Sequence, residues 1–235
     1  AYRNDSPRTR HVSDNIRSSQ QRPEDLLFDL DRATAYSALF VENFFSFGRL
    51  SVSPSARLER LSYDLQEDVQ NPSLARAPID LDRTAHELLL GLGMLYQLGE
   101  RSELYGNVSE SFRPQRFDDL INPASELAGS NAPSVSRGVN YELGFRSQPT
   151  DRLLLDVSVF RIDFQDKIEQ IQVNIADVER INSGDSRHQG VEFNVEYQAW
   201  VMADRVFTVF GNGSLLDAEI THSVTANLEG NAPGF

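Results

Sequence analysis

The chain has 235 residues and no cysteine, which excludes a disulfide framework, thiolate metal sites and a cysteine nucleophile. Acidic residues outnumber basic ones 35 to 22, and a net charge of −13 opposes binding to a phosphate backbone, so nucleic acid is not an expected partner. The longest apolar run, Leu88 to Tyr96, contains two glycines and falls far short of the roughly 20 residues a spanning helix needs.

Residues 1–24 are rich in Arg, Ser, Asn and Asp without periodicity and read as a loop. They lack the basic start and apolar core of a signal peptide, so a leader is expected to be missing or removed. From Ala33 onward the pattern changes to strict alternation. Val139, Tyr141, Leu143 and Phe145 share one face, opposed by Gly138, Asn140, Glu142, Gly144 and Arg146. Val191, Phe193, Val195 and Tyr197 alternate with Gly190, Glu192, Asn194 and Glu196, and His86 to Tyr96 repeats the pattern. Period two is the signature of a strand, because successive side chains point to opposite sheet faces.

Eight strands are predicted in chain order, over residues 33–46, 49–64, 85–98, 102–113, 136–148, 152–166, 186–199 and 205–219. The joins alternate. Phe47-Gly48, Gly99 to Arg101, Pro149 to Asp151 and Val201 to Asp204 are short, whereas Leu65 to Thr84, Pro114 to Val135 and Lys167 to Asp185 are long. Antiparallel membrane barrels have tight turns at one rim and long loops at the other. Strands of a dozen residues exceed the five or six usual in soluble sheets and suit a tilted span of about 9 to 11. The fold class is therefore read as all-β, a segment of an antiparallel transmembrane barrel, with a soluble β-sandwich as the alternative. In the sixth strand the apolar phase switches from Leu153, Leu155, Val157 and Val159 to Phe160, Ile162 and Phe164. Either a bulge near Phe160 or exit of the strand from the membrane accounts for it. Tyr96, Tyr141, Phe145, Phe160, Phe164 and Tyr197 are candidates for an aromatic girdle.

Catalysis finds no support. His11, His86, His188 and His222 are scattered, and no HExxH, GxSxG or phosphate loop occurs. The acidic pairs Asp217 with Glu219 and Asp163 with Asp166 are expected by chance among 35 acids. Asp64, Glu67 and Asp68 have the donor type for Ca²⁺ but read as a solvated loop.

Several segments carry a family likeness. Leu104 to Pro114 ends in Ser-Phe-Arg-Pro; Tyr141 to Arg146 has Glu-x-Gly-x-Arg; Phe160 to Ile168 has Phe-x-x-Asp-aromatic-x-Asp-x-Ile. Ile181 to Glu192 contains Asn-x-Gly-x-x-x-His-x-Gly-x-Glu, and Ser53 to Glu59 adds a fifth segment, with Ser55 where glycine is common. In this order and spacing, they resemble the TonB-dependent outer-membrane siderophore receptors, with the ferric-dicitrate type most similar.

The resemblance implies that residues 1–235 form part of a 22-stranded barrel of a Gram-negative outer membrane, with the N-terminal plug and final strands absent. It implies import of a ferric siderophore or ferric citrate, driven through TonB by way of the missing N-terminal region, with no bond made or broken and no cofactor. A passive porin-like channel is the alternative within membranes. Expected partners are the iron chelate, TonB, lipid and lipopolysaccharide. Arg113, Arg116, Arg187 and His188 are candidates for contact with an anionic chelate, because guanidinium groups suit carboxylates. Glu142, Arg146, Glu192, Asn194 and Glu196 are expected to face the lumen and plug, and Gly184, Gly190 and Glu192 to serve barrel geometry.

Overall fold

The computed structural model describes residues 2–5, 8–11, 26–70, 75–120, 133–172, 178–202 and 204–223. Its strands are β1 (Tyr2–Asp5), β2 (Arg8–His11), β3 (Leu26–Glu42), β4 (Phe45–Phe47), β5 (Leu50–Val69), β6 (Asp80–Gly99), β7 (Ser102–Arg113), β8 (Ser136–Thr150), β9 (Leu153–Gln172), β10 (Val178–Val201) and β11 (Val206–Ser223). A single helical turn, α1 (Phe117–Leu120), interrupts them. All strands join one antiparallel sheet in the order β1-β3-β5-β6-β7-β8-β9-β10-β11, with β2 on β3 and β4 on β5. The closing segment Gly230 to Phe235 lies outside the described residues.

Each predicted strand has a counterpart, but most run longer. β10 has 24 residues and β5 has 20, so both reach well beyond the 9 to 11 or so needed to span. Much of Leu65 to Thr84 and Lys167 to Asp185, expected as loop, is thus ladder. Residues 1–24 also depart from expectation, since Tyr2–Asp5 and Arg8–His11 pair with β3. That pairing needs only backbone donors and acceptors, so side-chain periodicity gives no sign of it.

Between β3 and β4 the ladder breaks opposite a proline. Pro54 has no N–H to donate, the β3–β5 pairing stops at Glu42–Ser55, and it resumes at Phe45–Val52. The Asn43 N–H donates to the Pro54 carbonyl at 3.1 Å, which satisfies the one group the proline leaves.

The two faces differ in chemistry. Leu58, Leu88, Leu90, Leu92, Met94, Val108, Tyr141, Leu143, Val157, Val159, Val191 and Phe193 share one face and are exposed. Soluble monomers rarely expose a contiguous apolar surface of that extent. Among the described residues all strands lie in one sheet, and no second sheet packs on this face. Near the short turns Phe44, Phe45, Phe47, Tyr96, Tyr197, Trp200 and Phe207 are exposed together, forming an aromatic rim. Toward the long loops the same face turns polar, with Arg60, Ser62 and Asp64 on β5, His86 and Thr84 on β6, and Arg161 and Asp163 on β9.

Phe160 and Phe164 are not girdle residues. Against β10 the β9 register is unbroken from Leu153 to Phe164, and the sheet places Phe160 over Gly190 and Phe164 over Gly138 on the polar face. No bulge lies at Phe160. The apolar face simply ends at Val159, where the strand leaves the apolar band and Arg161 and Asp163 take over. The register shift comes later, around Asp166, which has φ 53°.

Candidate functional site

The polar face is built from small and charged residues that interlock across strands. Tyr105 lies directly opposite Gly144, and a Cβ there would overlap its ring. The bare glycine lets the phenol lie flat along the wall and donate to Asp156 at 2.8 Å. Arg146 places its guanidinium over the Tyr105 ring at 5.3 Å and bonds Asp156 at 2.8 Å and Glu103 at 3.3 Å. Glu142, Glu192 and Asn194 line a recess beside them with Ser158, Asn212 and Ser214. Glu196 follows Asn194 on the same face, opposite Leu154. All five residues expected to face the lumen thus lie on the polar face. Arg146 already holds two carboxylates there.

At the long-loop end the wall changes. Above Gly91–Ser109 the β6–β7 ladder stops, although β7 stays paired with β8 up to Arg113–Ser136. Glu110 fills part of the breach by accepting from the Leu90 N–H at 2.9 Å. Glu110 and Phe112 then line a cleft with Tyr36, Glu59, Leu61 and Leu89. Arg137 pairs with Glu87 across it at 2.7 Å.

Beyond the cleft the chain turns back onto the polar face and makes a small core. Leu30, Leu61, Tyr63, Leu65, Ile79 and Leu120 are buried together, with Tyr36, Leu81 and Phe117 packed against them. Phe117 meets Tyr63 edge-on at 5.9 Å, and the Arg32 guanidinium sits 5.0 Å from the Phe117 ring. The Tyr63 hydroxyl donates to the Gln115 carbonyl at 2.6 Å, and Gln115 Nε2 donates to the Pro133 carbonyl at 2.6 Å. Burial, aided by the negative charge of Asp119, pushes the Tyr63 phenol up to about 12.

Asp119 is the electrostatic centre of this region. Its side chain is 2% exposed and pairs with Arg113 from β7 at 2.9 Å and Arg180 from β10 at 3.3 Å. It also accepts from the Arg116 N–H at 2.9 Å. The Arg113 and Arg180 side chains remain 38% and 32% exposed. A second tie fixes the other end of the long join: Asn182 Oδ1 accepts from the Ser134 N–H at 2.8 Å, and Asn182 Nδ2 donates to the Asp166 carbonyl at 2.8 Å.

Of the four residues expected to meet ligand, the structure brings Arg113 and Arg116 together around Asp119; the Arg116 side chain is exposed. Arg187 and His188, adjacent in sequence, point to opposite faces. Arg187 lies on the face that carries the apolar band, beyond that band, and pairs with Asp163 and Glu219, both at 3.1 Å. Hydrogen bonds from Arg161 and then Arg187 hold the Asp163 carboxyl below its usual range. His188 is on the polar face, edge-on to Phe164 at 5.3 Å and 3.4 Å from Ser186 Oγ. Asp64 and Asp68 point to the opposite face from Glu67, so the three form no common cation site. Glu67 is not solvated: Arg76 clamps it through bonds of 2.6 and 2.9 Å, and the Ile79 N–H adds a third at 2.9 Å. Among the described residues no group of three metal-ligating side chains occurs.

Arg180, Asp119 and Tyr63 were not singled out from sequence, and Asn182 stood there only as the first residue of the signature within Ile181 to Glu192. One signal was available. Leu61, Tyr63 and Leu65 continue an apolar alternation on the parity opposite to Leu58, which marks a face buried by something folded inward.

The β-barrel model of the TonB-dependent receptor-like family matches residues 1–234. The chain belongs to this family. Solved receptors and transporters share its fold at low identity. The ferric citrate transporter FecA, unliganded, superposes with a TM-score of 0.67 at 18% identity, over 93% of this chain and 31% of its own. The ferric-catecholate import receptor Fiu of E. coli K12, in closed form, gives 0.64 at 17%, over 94% and 34%. The ferric yersiniabactin uptake receptor FyuA of Yersinia pestis gives 0.61 at 18%, over 86% and 30%. The chain therefore spans about a third of the solved receptors it matches. No curated protein matches it. In this chain the family-like segment around Gly184 has a geometric basis: its φ is +139°, and a Cβ would strike the His222 backbone.

Proposed function

We propose that this chain is part of the barrel wall of an outer-membrane importer of ferric chelates. The ligand would dock at the long-loop end, and TonB-derived energy would move a plug seated against the polar face. The observation that carries the reading is the family match over residues 1–234 combined with the opposite chemistry of the two faces. A protein of this kind is a receptor and transporter, with no substrate bond to break.

At the long-loop end Arg113 and Arg116 offer donors to an anionic chelate, such as a ferric siderophore or ferric citrate, and Arg180 joins them. Arg187 and His188 are assigned roles at the rim, Arg187 toward lipopolysaccharide and His188 toward the lumen. Glu142, Arg146, Glu192, Asn194 and Glu196 would meet the plug, with the three glutamates accepting from its basic residues.

Uptake of radiolabelled iron tests the reading. Cells carrying the full-length protein should accumulate a supplied ferric chelate, and accumulation should vanish when TonB is deleted or the inner-membrane proton gradient is collapsed. Uptake that persists without TonB would assign a passive channel instead.

A further inference from the structure

We propose that Asp119 is an internal stand-in for a ligand carboxylate, and that Arg113 and Arg180 form a carboxylate-binding site that small polycarboxylate anions enter by displacing it. The inference deepens the proposed function and rests on its placing ligand at the long-loop end.

Arg113 ends β7, Arg180 lies near the start of β10, and Asp119 belongs to the segment between β7 and β8. One carboxylate therefore spans two guanidinium groups from separate strands, at 2.9 Å on Oδ2 and 3.3 Å on Oδ1. Guanidinium groups arranged to receive both oxygens of one carboxylate will receive any other that reaches them. Burial falls unevenly: the Asp119 side chain is 2% exposed while the Arg113 and Arg180 side chains are 38% and 32% exposed, so the arginines are the partners that solvent reaches. Arg113 also reaches the Ile168 carbonyl at 3.4 Å, which holds it in place without neutralising it.

Displacing Asp119 has a defined structural consequence. The same side chain caps the Arg116 N–H, and its turn carries Phe117 and Leu120 into the small core. Removing its two arginine partners leaves a buried, unpaired carboxylate, an unfavourable state that is relieved when the turn lifts from the wall. Gln115 Oε1, buried without a partner, marks the same segment as incompletely satisfied while docked. Anion binding and release of α1 are thus two readouts of one exchange.

The test uses the full-length receptor in outer-membrane vesicles with Leu120→Cys, which places a thiol in a buried position of a chain that has no cysteine of its own. Metal-free citrate should accelerate maleimide labelling by about tenfold, the change expected for losing one charge-assisted contact. The uncharged triethyl ester of citrate should leave the rate unchanged. Asp119→Asn should label fast without citrate and, with the internal carboxylate gone, should bind citrate about tenfold more tightly. Arg113→Gln with Arg180→Gln should label fast and ignore citrate. Labelling insensitive to citrate, equal acceleration by the ester, or acceleration by inorganic phosphate but not by citrate would each overturn the assignment. Because the probe carries no iron, a citrate response without iron uptake would sink only the importer reading. Iron uptake without a citrate response would sink only this one.

Discussion

The two ends of the sheet are stabilised in opposite ways. Toward the short turns each strand from β5 to β11 stays paired with the next, and nothing within the described residues buries the side chains on the apolar face. Its order comes from backbone bonds and from whatever solvates Leu88, Leu143 and Phe193. Toward the long loops the ladder parts between β6 and β7, and the chain builds a core of its own around Leu65 and Tyr63. The contrast is between an exposed apolar band at one end of the sheet and packed protein at the other, with polarity switching along a single face.

Mutations sharpen that contrast. Leu65 is fully buried, so Leu65→Ala should cost about 2–5 kcal/mol of local stability through lost contacts and a cavity. Amide exchange should then rise over residues 114–120 while the ladder near Gly144 keeps its protection. Leu143, 53% exposed on the apolar face, gives the complementary case. Leu143→Arg should cost about 2–4 kcal/mol in unfolding from liposomes. Val139→Arg, on the same strand and face but opposite Asp163, should cost close to nothing. Equal costs at both positions would erase the boundary between apolar band and polar belt. Gly144→Ala should cost about 1–3 kcal/mol by forcing Tyr105 off Asp156. Unfolding from liposomes would measure it, and Tyr105→Ala in the same background should recover part of the loss.

The smallest effect is set by pH. The Tyr63 phenol is raised from 10.0 to about 12, so the folded state holds its proton more tightly than the unfolded chain does. The stability this contributes is complete below pH 10 and is lost as pH rises toward 12. Ionisation would place a second anion beside Asp119, so α1 should detach in that window, and tyrosinate absorbance should track the detachment. Tyr63→Phe should abolish the alkaline step while weakening the turn by about 1 kcal/mol through the lost bond to Gln115.

The short-turn half of this architecture was legible in the sequence, because Val139 to Phe145 and Val191 to Tyr197 write their two faces directly as period two. The long-loop half was not. Gln66 and Asp80 pair backbone to backbone beyond the predicted strand ends, on the parity where the apolar face has already turned polar. The core there forms from Leu61, Ile79, Phe117 and Leu120, which meet only after the chain doubles back. The site followed the same division. Glu142, Arg146 and Glu192 could be placed by parity alone. The companions of Arg113 depended on contact between a turn and a distant strand, so Asp119 and Arg180 emerged only in three dimensions. Parity places Arg187 on one face, and its pairing with Asp163 and Glu219 depends on the register of three strands.

The central claim, that this sheet is a membrane wall with one face in lipid, has a direct test along β8. Single cysteines introduced from Gly138 to Arg146 in the full-length protein, labelled with a fluorophore in liposomes of brominated lipid, report contact with acyl chains position by position. The account predicts strong quenching at Tyr141, Leu143 and Phe145 and weak quenching at Asn140, Glu142 and Gly144, alternating with period two. Quenching that is uniform, or absent at Leu143, would contradict it.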